Sequence, residues 1–233
     1  FTEGKSGGFC VASHDQYVAL NRHMHSRIYP AGTRIDSSNY HPQQHWNAGC
    51  QIVALNWQTT TPYELRLNKG RFVDNGNCGY ILKPLPMRKI PDSNTISIVP
   101  SVLNIEVISG FALPKPENAS KGEVVDPYVH IFLEGPGLGE SATKRKTRTI
   151  EDNGFHPVWR GNGQNNFTWN VPDWMLTTLV VQVWDADVDA DDFLCELFVP
   201  LHLLRQGVRC MPMRDIKSNP LTGAFVLSHV TYH

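Results

Sequence analysis

SRIYPAGTRIDSSNY, Ser26 to Tyr40, and the HPQQHWNAGCQIVALNWQT that follows it, His41 to Thr59, decide the fold of this chain. Arg27, Ile28 and Tyr29 form a short strand that ends at Pro30-Ala31-Gly32, because proline lacks an amide donor and glycine tolerates a tight turn. A polar segment rich in serine and asparagine comes next. It leads to Cys50–Leu55, an apolar run short enough to be a buried parallel strand. Cys78 to Leu82 is a third such run and closes with Lys83-Pro84. Strand, long polar loop, strand, glycine-rich loop, strand is the pattern of a barrel whose loops carry the chemistry.

Working outward, Gly8 to Leu20 reads as one helix with Phe9, Val11, Tyr17, Val18 and Leu20 as its apolar contacts. Three strands and one or two helices cannot close an eight-stranded barrel, whose strands are buried on both faces. Residues 1–90 alone therefore leave Ile52, Val53, Ala54 and Leu55 facing water, and the expected chain is part of something longer. Pro84 to Pro100 carries four prolines and reads as an ordered linker. Beyond it the period changes to two. Leu103-Ile105-Val107, Val129-Ile131-Leu133, Leu179-Val181-Val183 and Phe225-Leu227 alternate with polar neighbours, as half-buried strands do. Turn signals at Gly110, Gly135-Pro136-Gly137 and Asn153-Gly154 separate them, which predicts an antiparallel β-sandwich.

Composition excludes several classes. The chain has 233 residues, 41% hydrophobic and 18% charged, an ordinary globular balance. Formal net charge is -1, so no general attraction draws it to nucleic acid, and affinity for an anionic surface must come from a local patch or a bound cation. No run reaches the roughly 18 apolar residues of a membrane span, and FTEGKSGGF lacks the shape of a signal peptide. Cys10, Cys50, Cys78, Cys195 and Cys210 are odd in number and scattered, which fits a reducing compartment. His23-Met24-His25 and the pair His41 and His45 lack a thiolate or carboxylate at ligand spacing and read as surface or loop histidines. Asp74-Asn75-Gly76 reads as a turn rather than a phosphate loop.

SRIYPAG, DSSNY, GCQIVALN, the GRFVDNGNCGY run and LKP together resemble the Y region of the eukaryotic phosphoinositide-specific phospholipases C. The resemblance implies a multidomain chain: residues 1–90 as the second half of a split (β/α)8 TIM-type barrel, 91–100 as a linker, and 101–233 as an all-β antiparallel C2 sandwich. It also implies that the catalytic histidines and the ligands of the catalytic Ca2+ belong to the preceding X half, so no catalytic residue is expected here. The Y half holds substrate. Arg27 is implied as the grip on an inositol phosphate, and Tyr29 as the surface against the ring face. A guanidinium grips phosphate bidentately, and an aromatic face suits the C–H side of a polyol. Read from residue type alone, Tyr29 is rather a strand-packing residue and Arg27 a solvated or carboxylate-paired base. Thr33 stands where better-known members carry a membrane-entering tryptophan, and Gly7 where a leucine is expected.

Two acidic loops carry the second resemblance. Asp185-Ala186-Asp187-Val188-Asp189-Ala190-Asp191-Asp192 places five aspartates in eight residues, which repel one another unless a cation or water screens them. Taken alone it reads as a solvated acidic turn. With Val125-Asp126-Pro127 and Asp152-Asn153-Gly154-Phe155 it resembles the calcium site of a C2 domain, which implies Asn118, Asp126, Asp152, Asp185, Asp187 and Asp192 as Ca2+ ligands. The loop is one residue short of the compared pattern, so Asp191 competes with Asp192 for the last position. Lys144-Arg145-Lys146-Thr147-Arg148 is either a contact for an anionic leaflet or a solvated strand edge.

The resemblance implies the C-terminal part of an enzyme that cleaves phosphatidylinositol 4,5-bisphosphate to diacylglycerol and inositol trisphosphate in intracellular signalling. Its expected partners are that lipid, an anionic membrane surface and the X half of the same barrel, with no nucleic acid. Its expected place is the cytoplasm, peripheral at the inner face of the plasma membrane. This stretch alone is expected to be inactive. The alternative is a catalytically inactive phospholipase-C-like scaffold that binds phosphoinositides.

Overall fold

Two short strands, β1 (Arg27–Ile28) and β2 (Ile52–Val53), pair in parallel, with Arg27 opposite Ile52 and Ile28 opposite Val53. They belong to the first of two compact units, Phe1–Ile98 and Val99–His233. The structure is a computed structural model that describes residues 1–59, 61–89, 99–116, 119, 122–161 and 163–233. Most of the expected linker lies outside those residues.

Among its described residues the first unit has four α-helices: α1 (Glu3–Ala12), α2 (His14–His23), α3 (Gln43–Asn47) and α4 (Tyr63–Arg71). Two helices thus replace the single one expected over Gly8–Leu20. Ser13, at φ -147° and ψ 43°, leaves helical geometry and breaks the run, while its amide still bonds to the Phe9 carbonyl. The Thr2 side chain caps α1 through the Lys5 amide. Tyr17, Ile28, Tyr40, Ala48 and Cys50 form the core here, with Phe9, Cys10, Val53 and Leu55 packed against it. Ile28 is fully buried, whereas Ile52 is 49% exposed and Val53, Ala54 and Leu55 are half-buried. The apolar run of the second strand is thus incompletely covered, as two strands predict where a barrel needs eight.

Cys78–Leu82 forms no strand, contrary to the expectation. Tyr80 and Leu82 are 83% and 73% exposed. The preceding turn dominates: a 3-10 helix over Phe72–Asn75 ends in left-handed Gly76 and Asn77, and the Asn75 side chain donates to the Tyr80 carbonyl at 2.6 Å. Apolar composition without a ladder partner does not hold a strand.

The second unit is a β-sandwich of β3 (Val102–Phe111), β4 (Pro127–Glu134), β5 (Arg145–Lys146), β6 (Asn166–Asn170), β7 (Thr178–Asp185), β8 (Asp192–Pro200), β9 (Gly207–Arg214) and β10 (Pro220–Tyr232). All pairings are antiparallel, in the order β5-β4-β7-β8-β9-β10-β3-β6. β8 and β9 meet only at Glu196 and Arg214, so the sheet folds there into two four-stranded halves. Leu103, Ile105, Val107, Val129, Ile131, Leu133, Leu179, Val181 and Val183 point into the core as their alternation predicts.

Phe225 and Leu227 do not. Ala224, Val226, Ser228 and Val230 face the core, and Phe225 instead stacks on Phe111 across the outer face at 5.5 Å. Gly110 is likewise no turn. It sits within β3, where a Cβ would lie 3.1–3.2 Å from Pro157, Leu113 and Trp159, so its missing side chain permits close packing. Among the described residues no helix is long and apolar enough to cross a membrane.

Candidate functional site

Arg27 and Tyr29 project to the same side of the SRIYP strand, as residues two apart do. Both are exposed, and the guanidinium carbon lies 5.3 Å from the centre of the Tyr29 ring. Among the described residues no carboxylate pairs with Arg27. The carboxylate nearby is committed elsewhere: Glu3 accepts two bonds from Arg34 at 2.6 Å each and one from the Ala31 amide at 2.7 Å. The Arg34 guanidinium holds the Glu3 carboxyl below its usual range, against the opposing effect of burial. Glu3 thereby anchors the Pro30-Ala31-Gly32 turn and leaves Arg27 unneutralised.

The polar loop after the turn is tied back to the end of the second strand. Asn39 donates to the Asn56 carbonyl and accepts from the Asn56 amide, and Asn56 donates to the Ser38 carbonyl. The Tyr40 hydroxyl donates to Ala54 at 2.8 Å. DSSNY is therefore a strap that fixes the loop beside Arg27 and Tyr29. Thr33 is exposed on it, and Ile35, two residues on, is 96% exposed. Lys83, from the LKP run, donates to the carbonyls of Asn21 and Gly49 and braces the helices; burial lowers its pKa.

His45 departs from its reading as a surface histidine. It is fully buried in α3, with Nδ1 2.8 Å from the Ser6 hydroxyl. Its neighbours Tyr17 and Cys50 close a buried polar network through Ser6. All five cysteines are free thiols; burial pushes Cys10 up to about 11 and raises Cys50 and Cys195 as well.

In the sandwich, one end gathers the acidic loops. The carboxylate oxygens of Glu123, Asp185 and Asp187 lie within 4.8 Å of one another. Asp185 closes β7 and is 2% exposed; its carboxylate accepts the Asp126 amide at 2.5 Å. The Asp126 carboxylate in turn accepts the Asp152 amide at 2.6 Å, with Asp152 in the left-handed region at φ 52°. Asp192 stands opposite Asp185 in the β7–β8 ladder. Asn118 lies outside the described residues. Burial raises the Asp185 carboxyl, and Asp187, Asp126 and Glu123 raise it further. Asp187 is raised by desolvation and by Asp192, Glu123, Asp191 and Asp126.

These residues fit Ca2+. The donor set is hard carboxylate oxygen, and ligands at roughly 2.3–2.6 Å from one ion lie within about 5 Å of each other. Glu123 was not visible as a candidate in the sequence, because it stands outside the aspartate runs and joins them only through the loop before β4. Of the remaining sequence candidates, Asp126, Asp152 and Asp192 surround the cluster through backbone links rather than within it. Apolar side chains crown the loops: Val124 is 50% exposed, Phe155 67%, and Val188 fully exposed.

The phosphatidylinositol-specific phospholipase C Y domain matches residues 1–86, and the C2 domain matches residues 101–213. The chain belongs to the phosphoinositide-specific phospholipase C family. Two kinds of relative accompany that assignment. Inactive phospholipase C-like protein 1 of Mus musculus is 36% identical over 99% of this chain and 21% of its own length. The 1-phosphatidylinositol 4,5-bisphosphate phosphodiesterase eta-2 of Mus musculus is 38% identical over 90% of this chain and 14% of its own length. The crystal structure of L. pealei PLC21 superposes with a TM-score of 0.82 at 30% identity, covering 100% of this chain and 29% of that one. The chain thus spans 21% and 14% of the lengths of those two curated relatives.

Proposed function

We propose that this chain is the substrate-clamping and membrane-docking part of a phospholipase C that hydrolyses phosphatidylinositol 4,5-bisphosphate to diacylglycerol and inositol 1,4,5-trisphosphate. One observation carries the reading: Arg27 is exposed beside the Tyr29 face, and Glu3, the nearby carboxylate, is occupied by Arg34. In this role the guanidinium donates two parallel hydrogen bonds to a ring phosphate. Tyr29 lies against the ring's C–H side and fixes its rotation. The general base that takes the inositol 2-hydroxyl proton, and the catalytic Ca2+, belong to the X half of the barrel, so these residues by themselves give no turnover.

The sandwich docks the protein on an anionic membrane, at the inner face of the plasma membrane and from the cytoplasm. Glu123, Asp185 and Asp187, with Asp126, Asp152 and Asp192 around them, would hold Ca2+ there, and the family resemblance adds Asn118 as a ligand. Bound Ca2+ neutralises the loops and offers open coordination to lipid headgroups. The exposed Val124, Phe155 and Val188 beside the carboxylates support insertion into the headgroup region. The basic edge strand β5 supports attraction to the same surface.

A second reading, a catalytically inactive phosphoinositide-binding scaffold, is supported by the 36% identity to a relative named inactive. Hydrolysis of phosphatidylinositol 4,5-bisphosphate vesicles by the full-length protein, titrated with Ca2+, separates the two. Ca2+-dependent turnover that falls about 100-fold in Arg27→Ala is the expected result, the loss of a charge-assisted phosphate grip. Vesicle binding with no turnover at any Ca2+ level overturns the enzyme reading in favour of the scaffold.

A further inference from the structure

The run Asp185 to Asp192 ends in two adjacent aspartates with different surroundings. Asp191 has both oxygens engaged by the chain itself: Oδ2 accepts the Tyr128 hydroxyl at 2.6 Å, and Oδ1 accepts the Asp187 amide at 3.3 Å. Asp192 accepts no hydrogen bond on its carboxylate among the described residues, and it faces Asp185 across the ladder. Tyr128 is itself fixed. It stands in β4, 1% exposed, with the Lys146 ammonium of the edge strand 3.4 Å from its ring centre. The loop is therefore pinned at both ends to the sheet, at Asp185 by the Asp126 amide and at Asp191 by the Tyr128 hydroxyl.

We propose that Tyr128 is a positioning residue for the cation loops: it draws Asp191 aside as a strut, folds the loop back on Asp187, and leaves Asp192 to face the ion. This rests on the docking reading above. A loop of mutually repelling carboxylates spreads in the absence of a cation, so part of the binding energy is spent on gathering it. A donor reaching out from a rigid strand does that gathering beforehand. Lys146, on the ring of the same tyrosine, links this strut to the basic edge strand.

The test is a calorimetric Ca2+ titration, without lipid, of the full chain and of Tyr128→Phe, Asp191→Asn and Asp192→Asn. Tyr128→Phe keeps the ring and its packing and loses only the hydroxyl. Expected are a roughly ten-fold weaker affinity in Tyr128→Phe, the scale of one hydrogen bond to a charged group, and a loss within about three-fold in Asp191→Asn, which retains an acceptor. Asp192→Asn, missing a charged ligand, loses about 100-fold. Thermal melting of each variant in chelator separates the affinity change from general unfolding, and if Tyr128→Phe does not fold, the contrast between the two aspartate variants carries the test. Wild-type affinity in a folded Tyr128→Phe, or loss of binding in Asp191→Asn equal to that in Asp192→Asn, overturns the proposal alone. No Ca2+ binding by the wild-type chain overturns the docking reading and this proposal with it.

Discussion

His45 sits where water does not reach, and its imidazole resists protonation accordingly. Its ring bonds to Ser6 and meets Tyr40 edge-on at 5.0 Å. Burial lowers its pKa to about 4, opposed by Glu3 and aided by His41. An unfolded histidine titrates near 6.5. Between pH 6.5 and about 4 the unfolded chain therefore carries a proton that the folded chain refuses. Stability is full above that window and falls as pH drops through it, by at most about 1.4 kcal/mol per unit. Melting at pH 7 and pH 5 should show a smaller acid loss in His45→Gln than in wild type; equal losses would remove His45 as the cause. The Ser6–His45 pair has the spacing of a nucleophile and its base, but both are fully buried, so no substrate reaches them. At this scale the sequence pointed to Arg27 and Tyr29 through recognisable words, and the fold leaves the two exposed side by side. It did not separate Asp191 from Asp192, because the Tyr128 and Asp187 bonds that set Asp191 apart form only on folding, and it did not bring in Glu123, because a lone glutamate gains its neighbours by folding.

β10 shows why an element can be recognised with its faces exchanged. Alternation gives a period of two but not its phase when both faces are apolar, and here Phe225 and Leu227 compete with Val226 and Val230. Pairing with β3 decides it, with a register shift between Leu227 and Ser228. The energetic consequence is specific. Val226 is fully buried, so Val226→Ala should cost about 2–3 kcal/mol in chemical denaturation, from lost transfer energy and the cavity left behind. Leu227→Ala, at a half-buried position, should cost less than that. Ser228 is buried, and its hydroxyl has no hydrogen-bond partner among the described residues, so Ser228→Ala should raise stability by about 1 kcal/mol. A larger loss at Leu227 than at Val226 would reverse the assigned faces. The same physics explains Cys78–Leu82. Its composition suits a strand, but a strand is defined by a neighbour, and the local turn at Phe72–Asn77 takes the backbone elsewhere. The strands from Leu103, Val129 and Leu179 were legible because Leu103-Ile105-Val107, Val129-Ile131-Leu133 and Leu179-Val181-Val183 keep an unbroken alternation of aliphatic residues, all of them in the core.

Across the whole molecule 21 basic and 22 acidic residues leave a formal charge of -1, so its distant field is weak and attraction to a membrane must be local. Two sites of opposite sign share the sandwich: the carboxylates of the loops and the exposed Arg145 and Lys146 of the edge strand. Without a cation they oppose each other at an anionic surface. In the docking proposed above, bound Ca2+ would stop the loops repelling the surface and the edge strand would add to the attraction. Arg145 is the cleaner probe, because its side chain bonds only to the Lys144 carbonyl among the described residues, whereas Lys146 packs on Tyr128. A base near an anionic leaflet contributes about 1 kcal/mol, so Arg145→Gln should weaken Ca2+-dependent binding to phosphatidylserine vesicles by about five-fold at 0.1 M salt. The deficit should shrink toward 1 M salt, where the screening length falls to about 3 Å, while chelation should release both proteins. Unchanged low-salt affinity in the variant would make β5 a solvated edge that guards against strand pairing, and would leave docking to the acidic loops alone.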